Sequence, residues 1–298
     1  MNQTKKKNPL KRLLSMRGMG QVVTVTIGLI VLLVAFALIN PNFWSPTNRT
    51  NLLRQIAPIL IIGIAQSYVL ITGNIDLSIG SVVGMSTMVA ATLMSKGIMS
   101  PIPALLVTLL CCLLIGVLNG LLVAKFKLPP FIATLGTMTV ARGIAQLVNG
   151  NYNTDSIMKF YPEAAQTFKN VFYYGKTLGL YNGIWIAIIL WIVFNFLLSK
   201  TRTGRYIYAT GSNIDAARLS GVNVVSTTVI AYVVSAFCSF VVGIITCATV
   251  GQGTMDAGNS YEMYAVAASV IGGVSTLGGQ GILLGTVVGA AIWGTLQN

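Results

Sequence analysis

Several apolar runs in this chain exceed the roughly 18 residues at which a segment becomes a candidate to cross a bilayer as one helix. "VVTVTIGLIVLLVAFALI" and "LLRQIAPILIIGIAQSYVLI" are the first two. Membrane barrels use strands of about 10 residues with alternating polarity, and these runs do not alternate. Composition agrees: 54% of the 298 residues are hydrophobic and 8% are charged, where a soluble domain carries about 25% charged residues. The chain is expected to be all-α, a polytopic helical membrane protein with one membrane domain over 21–298. A basic segment over 1–20 precedes it.

Nine spans are expected, near Gln21–Asn40, Asn51–Thr72, Ser78–Ser95, Pro103–Ala124, Phe131–Val148, Asn182–Leu198, Val225–Val250, Tyr261–Ile271 and Ile282–Leu296. "KKKNPLKRLLSMR" and "KTRTGR" flank spans in the way cytoplasmic loops do. They orient the N-terminus and the loop over 200–224 inward, and the polar stretch over 149–181 outward. Nine crossings leave the C-terminus outside, which suggests a tenth helix beyond "GTLQN".

The charge balance is therefore topological and gives no reason to expect a nucleic-acid partner. There is no histidine, so a histidine proton relay and a His-ligated metal site are both excluded. Cys111, Cys112, Cys238 and Cys247 lie inside apolar runs, without disulfide or metal spacing. "GKT" at 175–177 lacks the upstream glycine of a phosphate loop, and no cofactor is expected on this chain. Glycines recur at spacing four (Gly80/Gly84, Gly116/Gly120, Gly281/Gly285/Gly289), a pattern that lets helix backbones approach closely in lipid. "ITGNIDLSIGSVVG" and "IGGVSTLGGQGILLG" echo one another faintly, each with a Gly-rich turn between apolar segments.

Two stretches carry chemistry. In "TGNIDLSIGS" an acid, Asp76, stands between two spans. A charge at mid-bilayer costs about 2.5–3.5 kcal/mol on insertion scales. Crossing parity puts this turn at the cytoplasmic side, and a break within the membrane is the alternative. There Asp76 would cap the next helix by accepting N–H bonds at its second or third residue. In "GSNIDAARLSGVNV", Ser212 or Asn213 can cap a short helix. Asp215 then favours its dipole, Ala216 and Ala217 favour helix, Arg218 pairs with Asp215, Leu219 and Ser220 follow, and Gly221 ends it. Such a helix is too short to stand alone in water, so it must dock on something. Replacing Ala217 with arginine is expected to block that docking and spare the fold.

"DAARLSG" resembles the EAA-type coupling motif of ABC importer permeases, with Asp215 where glutamate is usual. "ITGNIDLSIGS", "LPPFIATLGTM", "TGRYIYATGSNIDAARLSGVNV" and "GGVSTLGGQGILLGTVVGA" together resemble the ribose-type branch of ABC sugar permeases, from about Pro41 to Asn298. The resemblance implies a multi-pass subunit of a bacterial cytoplasmic membrane. It would import a monosaccharide, bind no ATP itself, and pair with a second copy. A cytoplasmic ABC ATPase would dock on Ser212–Gly221, and an extracytoplasmic binding protein would deliver the sugar.

A path for a neutral polyol needs hydroxyl and amide side chains. Asn119, Thr134, Thr137 and Thr139 are the candidates for it, with helix packing as the competing role, and Asp76 is the candidate gate. An ion-coupled secondary transporter is the rival reading, since Asp76 and Arg142 are ionisable groups near membrane depth, although the Arg142 head is close enough to the helix end to snorkel out. A channel or scaffold is a further alternative.

Overall fold

The computed structural model describes residues 19–298. The expected basic segment over 1–20 falls, up to residue 18, outside the described residues. The rest is a helical bundle. Its long helices are α1 (Met19–Ile39), α2 (Pro46–Ile71), α3 (Ile79–Ser95), α4 (Pro101–Ala124), α5 (Pro130–Leu147), α7 (Asn182–Lys200) and α10 (Val224–Val250). Shorter helices are α6 (Pro162–Lys169), α8 (Arg202–Ser212), α9 (Ile214–Leu219), α11 (Tyr261–Ile271) and α12 (Leu283–Gln297). Five of them, α1, α2, α4, α7 and α10, are long and apolar enough to cross a membrane.

Helix starts follow local chemistry. Ser45 accepts the Asn48 N–H and Pro46 opens α2, the serine-then-proline arrangement that suits a first turn. The helix thus begins five residues before the expected Asn51. Asn223 caps α10 through the Ser226 N–H. The polar stretch over 149–181 adds what periodicity misses: α6, a π-helical turn at Asn170–Tyr174, and a small hairpin pairing Lys176–Thr177 with Leu180–Tyr181. Leu178 and Gly179 form its two-residue loop, both with positive φ, as a tight hairpin requires.

Burial ranks the helices. In α3 every residue but Leu93 is buried, so α3 is the axis of the bundle. The most apolar windows of α2 and α10 are 78% and 72% buried, against 6% for α1, which lies on the periphery against α12. Helix α10 packs on α2, α3 and α4, and α11 and α12 pack on α2 and on each other.

The spaced glycines sit where backbones touch. Gly116 and Gly120 of α4 face Tyr232, Ala236 and Val229 of α10. Gly285 and Gly289 of α12 face Gly272 and Ala268 at the end of α11. Gly281, the first of that series, is outside the helix, in the loop at φ +140°. The two echoing turns meet: Gly279 N–H donates to the Ile71 carbonyl at 2.9 Å, and Gly73 and Gly278 pack on Gly211 of α8.

Candidate functional site

The segment over 200–224 forms two helices. Thr201 caps α8 through the Gly204 N–H. Tyr208 of α8 donates its hydroxyl to the Gly281 carbonyl at 2.6 Å, and burial pushes that hydroxyl up to about 12, so it stays protonated and donating. Helix α9 is defined at both ends. Asn213 Oδ1 accepts the Asp215 and Ala216 N–H groups at 3.0 and 2.9 Å. At the other end Gly221 N–H reaches the Arg218 carbonyl and Val222 N–H the Ala217 carbonyl, both at 3.0 Å. With Gly221 at φ +81°, this is a Schellman closure. Asn213, not Ser212, is the cap. Asp215 and Arg218 form an exposed pair at 3.4 Å, worth a few tenths of a kcal/mol at most.

An open recess of about 870 Å³ lies beside α9. Its walls include Thr72 and Asn74 after α2, Pro129 and Pro130 at the start of α5, and Gly211 and Asp215. Three parts of the chain therefore converge at this basic end of the bundle.

Asp76 departs from the turn position expected of it. The chain from Thr72 to Ser78 leaves the recess and re-enters the bundle, where Asp76 is 2% exposed. Ser235 Oγ donates to its Oδ2 at 2.7 Å. Ser235 lies eleven residues past Val224, roughly 16 Å along α10 at 1.5 Å per residue. The acid is therefore inside the bundle, well away from its basic end. Nor does it cap α3 from the expected positions: Oδ1 accepts from Ser78, from its N–H at 2.9 Å and its hydroxyl at 2.6 Å, and Ser78 is the residue before the helix. Three donors on one carboxylate offset much of its desolvation, since each charge-assisted bond contributes about 1.5–3 kcal/mol.

From Asp76 the polar contacts continue. Asn119 Nδ2 of α4 donates to Ser78 Oγ at 2.9 Å. Thr137 Oγ1 of α5 donates to Asn119 Oδ1 at 2.6 Å. Thr134, one turn earlier, donates to the Pro130 carbonyl at 2.8 Å, and Pro130 is in the recess wall. A buried polar line thus runs from α10 through the segment just before α3, and through α4, to α5. It brings together Asp76, Asn119, Thr134 and Thr137, all buried. Thr139 is not part of it: its hydroxyl turns back to the Gly136 carbonyl on an exposed face of α5.

The family model for the branched-chain amino acid transport system / permease component matches residues 48–298. The ribose import permease of Haemophilus influenzae is 40% identical over 275 residues, covering 91% of this chain and 83% of that protein. The chain belongs to the ribose-type ABC sugar permeases. The permease is also 31% identical to the D-allose transport system permease of Escherichia coli, over 91% of this chain and 81% of that one. It is 36% identical to the galactofuranose transporter permease of the same organism, over 95% and 82%. No solved structure matches the permease.

Two side chains of the permease differ from their sequence reading. Ala217 is 4% exposed: it faces inward and supports α9, so arginine there would strike the fold. Leu219 is 90% exposed and Ile214 47% exposed, and these are the large apolar side chains α9 presents, beside the exposed Asp215–Arg218 pair. Arg142 does not snorkel free. Its Nη1 donates to the Met255 and Ala257 carbonyls at 2.9 and 3.0 Å, which pins the loop after α10. Ser235, Tyr232 and Tyr208 went unnoticed in the sequence. Each acts on a partner more than seventy residues away (Tyr232 through the Ile75 carbonyl); Tyr232 and Ser235 carry hydroxyls inside an apolar run, whereas Tyr208 lies in a stretch that reads as loop.

Proposed function

We propose that this permease is the membrane subunit of an ATP-driven importer that carries a monosaccharide, a ribose-like pentose or a hexose, across the bacterial cytoplasmic membrane. The names of its relatives, for ribose, D-allose and galactofuranose, support a neutral sugar as cargo. The observation that carries the coupling is α9: capped at both ends, seated on Ala217, and offering Leu219 and Ile214 outward. An apolar knob on a short buttressed helix suits the groove of a cytoplasmic ABC ATPase. In this reading the basic end is cytoplasmic, ATP stays on the partner, a second copy of the permease completes the path, and an extracytoplasmic binding protein delivers sugar at the opposite end.

The recess beside α9 then acts as the inner mouth, and the line from Asp76 through Asn119 and Thr137 to Thr134 as its gate, because it ties α5 to the axis of the bundle. Thr139, on the exposed face of α5, is the candidate for lining the path between copies. The test is uptake of labelled ribose, allose and galactose into vesicles containing the permease, its ATPase and its binding protein, with an ionophore present. Uptake that requires ATP and ignores the ionophore is expected. Uptake that collapses with the ion gradient would establish the ion-coupled rival instead.

A further inference from the structure

At the end of the bundle opposite α9, a second recess of about 240 Å³ opens between α2, α10, α11 and α12. Arg54, Gln55, Tyr173, Tyr261, Tyr264 and Gln297 stand in its wall. The Arg54 guanidinium is held in place by aromatic faces, 3.6 Å from the Tyr181 ring centre and 4.4 Å from that of Tyr173, while its Nε is buried without a hydrogen-bond partner. Tyr261 and Tyr264 pack with their rings tilted by 38° at 5.6 Å, and Tyr264 packs on Trp293, tilted by 43°, at 5.6 Å. Among the described residues, the two glutamine amides and the three tyrosine hydroxyls of this wall are free of side-chain hydrogen bonds.

Fixed aromatic faces surrounded by unused donors and acceptors are a specific combination. The faces suit the C–H side of a sugar ring, and the amides, hydroxyls and guanidinium suit its hydroxyl groups. Sites for drug-sized ligands run to roughly 300–1,000 Å³, so this smaller recess suits a single ring. The larger recess beside α9 offers no aromatic side chain. We propose that the recess at Arg54 and Tyr264 is a monosaccharide-binding subsite that takes one neutral furanose or pyranose ring. The proposal rests on the sugar-import reading and gives it a place on this chain. Helix α11 carries Tyr261 and Tyr264 at its start and ends at the Gly272–Gly273 turn.

The experiment is saturation-transfer NMR on the full-length permease in detergent micelles, with D-ribose, D-allose and D-galactose as probes and ribose 5-phosphate for comparison. Gln55→Ala and Tyr264→Ala are measured beside the wild type, each with its melting temperature. Gln55 is exposed, so its variant folds even if loss of Tyr264 disturbs Trp293. Saturable binding of a neutral sugar is expected, weakened about tenfold in Gln55→Ala, which is about 1.4 kcal/mol. Unchanged binding in both variants overturns the subsite, and so does preference for the phosphate ester. If the wild type binds no sugar but still supports ATP-driven uptake with its partners, the subsite is overturned and the import reading stands. If it neither binds nor transports a sugar, the import reading falls, and the subsite with it.

Discussion

Asp76 concentrates the most chemistry in one side chain. Removing it as Asp76→Ala leaves the hydroxyls of Ser78 and Ser235 buried without their acceptor, at about 1–3 kcal/mol each. A lower melting temperature of the purified permease is expected. Asp76→Asn keeps an acceptor for Ser78 and removes the charge. It is expected to fold and to transport poorly, and normal uptake by this variant would reduce the polar line to a structural role. The contrast between Leu219 and Ala217 makes a second prediction. Leu219→Asp should abolish co-purification of the ATPase and ATP-driven uptake without shifting the melting temperature, whereas Ala217→Arg should lower that temperature. If Leu219→Asp still drives uptake at the wild-type rate, α9 is not the coupling surface.

At the scale of elements, the apolar runs told most of the story. A span is legible because nearly all of its signal is local: length, hydropathy and a cap. The same holds for α9, whose cap, alanines and closing glycine are neighbours in sequence. Its stability at the ends is open to test, since Asn213→Ala should cost about 0.5–2 kcal/mol and raise proteolytic nicking between α8 and α10. The glycine spacing likewise marked α4 correctly as a close-packed helix. Gly120→Val would press into Val229 of α10 and should destabilise by about 1–3 kcal/mol, read as loss of folded protein on gel filtration. What sequence could not supply was depth. Crossing parity treats the segment between two spans as a surface turn, and the burial of Asp76 depends on Ser235, a partner that no local pattern names. Asn119 and Thr137 were each noticeable as polar residues in apolar helices, yet only their 2.6 Å contact reveals that they answer one another. Helix α8 was missed because its glycines and polar residues read as loop, and it is Tyr208 and the Gly211 contact that hold it.

At the scale of the molecule, the meeting of the two Gly-rich turns with α8 organises the basic end. A methyl group on Gly211 would meet the Ile71 carbonyl and the Gly279 amide, both main-chain atoms that cannot rotate aside. Gly211→Ala should therefore force α8 away from both turns, and cross-linking of cysteines placed at Thr72 and Ser212 should report the separation. The junction also has a consequence for biogenesis. The Ile71 carbonyl is satisfied by Gly279, and Oδ2 of Asp76 by Ser235, residues that the ribosome adds much later. A buried polar group without a partner is costly in lipid. The emerging first half of the chain must therefore wait with its inner turn still wet, and a nascent chain halted after Asn223 has no means to finish its own interior. Completion of the second half is what seals the first.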